Sequence, residues 1–193
     1  MNDKIKEGLR VSGFAAVMAF ISIFAVSCKH SNQYVKQTAT LDSLGRALGS
    51  TDSLLNTVDS VKIRKCVNHV IITMDYVKIY NKDSISPAAT EILKNFSNTR
   101  WQLQIFLGRA PYLKKEIKKS MTQVAHLNHD FKNGLIPKDS AMTYYNYESK
   151  KARELVETAQ YGMDIVKMQL PINELISPQA DSLVNRLKNH QKI

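Results

Sequence analysis

The segment HLNHD places His126 and His129 three residues apart, with Asp130 beside the second imidazole. Residues three or four apart share one face of a helix, so two neutral imidazoles there could bind one divalent metal and a carboxylate could supply a third ligand. No second group of His, Cys or Glu completes the site, and a solvated polar face is the competing expectation. Cys66 and His69 repeat the spacing, but two ligands alone make a weak site, and ordinary helix packing is expected of them. MTYYNYES gathers Tyr144, Tyr145 and Tyr147 near a helix start. Tyr145 falls on an apolar stripe, which leaves the other two as rim packing or as an exposed recognition patch. No serine or cysteine stands in a nucleophile motif, no glycine-rich loop cradles phosphate, and no pair of carboxylates can be set across a pocket. The expectation is a protein that is not an enzyme and uses no cofactor.

Charge carries more information than any of these. The chain is 193 residues with a formal net charge of +10. Lys114, Lys115, Lys118 and Lys119 fall along one side of a helix, and Lys150, Lys151 and Arg153 form a second group. Such a face suits anionic lipid headgroups, cell-wall polymer or an acidic partner, and it equally suits a helix kept soluble by charge.

The amino terminus decides which of these partners is within reach. Lys4, Lys6 and Arg10 precede an uncharged, mainly apolar run from Val11 to Ser27, and Cys28 follows at once. A basic head, an apolar middle and small residues before a cut are the layout of a secretory signal. Ser12 and Ser22 are too few polar interruptions for the amphipathic helix of a soluble core. The residues FAVSC resemble the lipobox of bacterial lipoproteins, over residues 1 to 28 only, with Ala25 where leucine is commonest. The resemblance implies cleavage before Cys28, acylation of that cysteine and retention on a membrane by several chains, each buried methylene contributing about 0.8 kcal/mol. Lys29 follows where an aspartate would favour the inner membrane, so an outer membrane of a Gram-negative bacterium, facing the periplasm, is expected. An uncleaved amino-terminal anchor is the alternative. Export removes nucleic acid from the partners that so basic a chain would otherwise suggest.

Without its leader the chain keeps a charge of +9, since the three leader cations are offset by Asp3 and Glu7. It also keeps enough length for a core of its own. With Cys28 acylated, Cys66 has no intramolecular partner, so packing alone must hold the fold. The division expected is residues 1–27 as signal peptide, 28–50 as tether and short first helix, and 51–193 as helical bundle domain.

That body reads as all-α, an elongated antiparallel bundle of four to six helices. A first helix over 33–48 is stopped by Gly49, and a second over 52–81 carries Leu54, Val58, Val61, Val67, Val70, Met74 and Val77. Ser86 caps a third at Pro87, with Leu93, Phe96, Arg100, Leu103 and Leu107 as its stripe. Gly108 and Pro111 predict a kink or full turn. Leu113, Ile117, Met121, Val124, Leu127 and Phe131 continue to Gly134. A helix over 138–170 repeats Tyr145, Ala152, Leu155, Ala159, Gly162, Val166 and Leu170, closes at Pro171, and is followed by another opened by Ser177 and Pro178. MDYVKI and ISPAATEIL at 74–93 are echoed by MDIVKM and ISPQADSLV at 163–184, the mark of two duplicated helical hairpins or of reused caps.

Three functions follow as expectations. The first is a lipid-anchored scaffold or adaptor working through an envelope protein partner. The second is a periplasmic ligand- or metal-binding sensing module around His126, His129 and Asp130. The third is an accessory lipoprotein of an envelope-spanning machine such as type VI secretion, by analogy of size, anchor and fold.

Overall fold

A computed structural model describes residues 33–80 and 85–190. The expected signal peptide and Cys28 lie outside the described residues. Four helices fill the rest: α1 (Val35–Thr57), α2 (Ser60–Tyr80), α3 (Pro87–Asn133) and α4 (Lys138–His190). Among the described residues no strand occurs, in keeping with the all-α expectation. No helix among them is long and apolar enough to cross a membrane.

Local chemistry sets the ends. Asp59 stands in the two-residue gap between α1 and α2, and its Oδ1 accepts from the amides of Val61 and Lys62 at 3.0 and 2.9 Å. These are amides that a helix start leaves without partners. Ser86 accepts from the Ala89 amide ahead of Pro87, as its cap spacing predicts. Gly134 ends α3 in the left-handed region at φ 64°, and the Leu135 amide reaches back to the Asp130 carbonyl at 2.9 Å. That is a Schellman closure, which favours glycine at this position.

α1 and α2 each pack on both α3 and α4 and not on each other. The four helices therefore make three rods, with α1 and α2 laid end to end along the antiparallel α3 and α4. α4, at 53 residues, is roughly 80 Å long at about 1.5 Å per residue. The core runs through Leu41, Leu48 and Leu55 of α1, Ile63 and Val67 of α2, Leu103, Ile117 and Phe131 of α3, and Ala152, Ala159 and Met163 of α4. Small residues on α4 let α3 come close: a Cβ on Gly162 would stand 3.1 Å from the Phe106 ring.

Several expected boundaries are corrected. α1 passes through Gly49 to Thr57 and so crosses the division drawn at residue 50. The break falls at Val58 and Asp59, which resets the helical phase and leaves Leu54 and Val61, expected inside, 49% and 60% exposed. Gly108 and Pro111 make no turn, and Pro171 and Pro178 end no helix, for all three prolines sit inside α3 or α4. A proline inside a helix costs about 3 kcal/mol. Around Pro111, burial of Leu103, Phe106, Leu113 and Ile117 returns roughly 1.5–3 kcal/mol each, which decides for continuity. The paired ISP phrases therefore differ in structure. The first opens α3 and the second lies within α4, so among the described residues the final separate helix and the duplicated hairpins are absent.

Candidate functional site

His126 and His129 lie on the outer side of α3, both exposed. His129 Nδ1 stands 3.3 Å from Asp130 Oδ1, so two members of the expected triad meet and His126 stays apart. Among the described residues no three His, Cys, Asp or Glu side chains are gathered to hold a metal ion. Beside them a groove of about 530 Å³ opens between α1 and α3. Its floor is apolar, from Leu41, Met121 and Val124, and Gly45 leaves room by having no side chain. On its rim the Asp42 carboxylate accepts from the Asn128 amide and from Lys132 Nζ at 3.2 Å. The Asn128 oxygen is buried without a partner. The groove's polar groups thus serve mainly to join α1 to α3.

Of the lysines, Lys115, Lys118 and Lys119 are exposed and Lys114 is half-buried. None of the four forms an ion pair among the described residues. The second basic group is partly neutralised: Lys151 reaches Glu116 of α3 at 3.4 Å and Lys150 reaches Glu154 at 3.8 Å. The Lys151 contact is the better shielded, with side chains 23% and 17% exposed.

Cys66 and His69 do not meet. His69 Nε2 lies 2.8 Å from Asp181 Oδ1, its ring edge-on to Phe96 with centroids 5.5 Å apart. Lys62 reaches Glu174 at 2.6 Å. Both clasps step seven residues along α2 and α4, which fixes those helices as parallel. Cys66 is half-buried, and burial pushes its thiol up from the ordinary 9.0. Tyr145 packs edge-on against Phe131 at 6.3 Å, while Tyr144 and Tyr147 remain 54% and 64% exposed.

One feature was missed at the level of sequence. On α4, Tyr161, Ile165, Met168, Ile172 and Leu175 step by four, three, four and three residues. Four of them are 37–72% exposed, and Ile165 is half-buried. The core stripe of Ala159, Met163, Val166 and Leu170 has the same rhythm two residues out of phase. Helix α3 presents Trp101, Ile105 and Tyr112, then Lys115 and Lys119, along its outer side, with Trp101 64% and Tyr112 65% exposed. The second rhythm on α4 was present in the sequence as a heptad of its own. The expected helix end at Pro171 cut it short.

No family model, no curated protein and no solved structure matches this chain.

Proposed function

We propose that the protein is a lipid-anchored helical scaffold of the bacterial cell envelope, held through acylated Cys28 on the outer membrane and working through protein contacts on the periplasmic side. The observation that carries this reading is the outward apolar stripe of α3 and α4. Seven large side chains, Trp101, Ile105, Tyr112, Tyr161, Met168, Ile172 and Leu175, are each at least 37% exposed on rods that already have a core. Contiguous apolar surface on that scale marks a contact face. The resemblance of FAVSC to a lipobox supplies the tether, and Lys115, Lys118 and Lys119, which form no ion pair among the described residues, suit a surface that works near anionic headgroups or cell-wall polymer. Within this reading, an accessory place in an envelope-spanning secretion machine such as type VI is the narrower assignment, by analogy of size, anchor and fold.

A Cys28→Ser substitution tests the tether. The native chain should partition with membranes and begin, by mass, at an acylated Cys28. The variant should lose the acyl mass and keep its leader. A native chain found soluble with Met1 intact overturns the reading.

The groove beside Asn128 favours a second reading, a periplasmic module that binds a small, largely apolar ligand. Its metal-binding version predicts zinc uptake that is lost in a His126→Ala, His129→Ala double variant. Equal uptake by both proteins removes that version.

A further inference from the structure

We infer that the outward α3–α4 face is covered by a second copy of this chain, packed antiparallel about a twofold axis at Met168 and Trp101. The inference rests on the reading of that face as a contact surface and is independent of the tether.

Phe106 lies against Gly162, and the Asn173 amide donates to Thr99 Oγ1 at 2.9 Å. Between these two fixed points Met168 stands level with Trp101, and Ile165 with Ile105, to within a turn. Lys151, two and three heptads before Ile165 and Ile172 on the same line of α4, reaches Glu116 of α3, so that line borders α3 and the two exposed stripes form one surface along the outside of both helices.

Its size fits a pair of copies. With the seven side chains exposed by 37–72%, and about 150–250 Å² for a large side chain in full, the face presents roughly 800 Å². A stable interface takes about 800 Å² from each partner.

Its pattern fits a copy of itself. Tyr161 and Leu175 each stand seven residues from Met168, with Ile165 and Ile172 between. An antiparallel α4 thus meets apolar residues at every step, in the alternating spacing by which helices interlock. Within the α4 stripe Asp164 and Lys167 pair with each other and Glu174 pairs with Lys62 of α2, so α4 offers no single-sign field to a partner of opposite charge, and on α3 the charge between Ile105 and Tyr112 is the exposed Arg109.

Charge then selects the orientation. A parallel pair would set Lys115 and Lys119 against the same lysines of the other copy. The antiparallel pair separates the two lysine groups by roughly 40 Å along the rods, far beyond the screening length of about 8 Å at physiological salt. It also brings Lys115 of one copy to within a turn of the level of Glu91 of the other. Glu91 is exposed, and opposite charges at an interface rim fix register.

The test uses the full chain in its native membranes. On a Cys66→Ser background that retains Cys28, Met168→Cys should give, with a short bismaleimide, a product of twice the protomer mass. Ser43→Cys, exposed on α1, should give none. Tyr161→Cys and Leu175→Cys should join only when the two variants are co-expressed, as the antiparallel arrangement requires. Adding Ile105→Glu and Ile172→Glu should abolish the Met168 product while circular dichroism shows unchanged helix. No product at Met168, or equal product from Ser43→Cys, overturns the inference. A Met168 product carrying the mass of a different chain overturns it and leaves the scaffold reading standing. A soluble, unacylated chain that still joins to itself overturns the tether and leaves the inference standing.

Discussion

Gly108 and Gly162 are both interior to helices, yet their surroundings give them opposite roles. A Cβ on Gly108 would meet nothing within 4 Å, so that glycine only weakens α3. Gly108→Ala should raise stability by about 0.5–1 kcal/mol, seen as a rise in Tm of roughly 2–4 °C per kcal/mol for a chain of this size. A Cβ on Gly162 would press the Phe106 ring at 3.1 and 3.4 Å. There the propensity gain meets an overpacking cost of roughly 1–3 kcal/mol, and Gly162→Ala should lower Tm. Equal shifts for the two variants would mean that the α3–α4 contact is looser than its geometry. Cys66 adds a pH dependence. Burial raises its thiol above the ordinary 9.0, so the folded state holds the proton where the unfolded chain releases it. The resulting stability is intact below pH 9 and falls as pH rises through the folded value. Alkylation of Cys66 by iodoacetamide should therefore reach half its maximal rate at a higher pH in the folded protein than in urea. Coincident profiles would show a thiol open to water.

What the helices owe to local signals is clearest where they start and stop. The Ser86 cap and the Gly134 stop were legible because each satisfies orphaned backbone groups with residues a few positions away. The stripes Leu93, Phe96 and Leu103, then Ile117, Val124 and Phe131, were legible because burial follows the helical period. The prolines misled, since their cost is local, whereas the burial that offsets it is made against other helices distant in the sequence. Asp59 carried a readable cap signal, but Gly49 drew the boundary instead, and an error of ten residues at one break turned Leu54 and Val61 inward on paper. The candidate metal site failed to gather for a similar reason. His126 and His129 share a side of α3 by spacing alone, and both are exposed there, with His129 at the rim of the α1–α3 groove. The outward heptad of α4 was hidden by the same Pro171 that was expected to end the helix.

Along the whole rod, cohesion is unequal, and its distribution sets how the protein should open. The large apolar cluster joins α1 and the first turns of α2 to α3 from Leu103 to Phe131 and to α4 from Ala141 to Val166. The far end holds a separate small one, Val70, Phe96 and Ala180 with Met74 and Ile176 beside them. The clasps near that end, Lys62–Glu174 and His69–Asp181, are exposed on both partners and add little, because water screens them. The end should therefore open before the remainder, as a sub-global unit in native-state hydrogen exchange. Phe96 is fully buried, and its truncation to alanine would cost about 3–5 kcal/mol if the end stayed closed. Phe96→Ala should accordingly speed exchange at amides from Val70 to Val77, Leu93 to Thr99 and Ile176 to Leu183, while amides from Ile117 to Phe131 keep their native protection. Uniform loss along α3 would instead make the rod one cooperative unit, with cohesion carried by the continuity of α3 and α4 more than by the size of each cluster. Such a result would also account for the continuity of both helices through three interior prolines, since a break at any of them would then cost the whole molecule its fold.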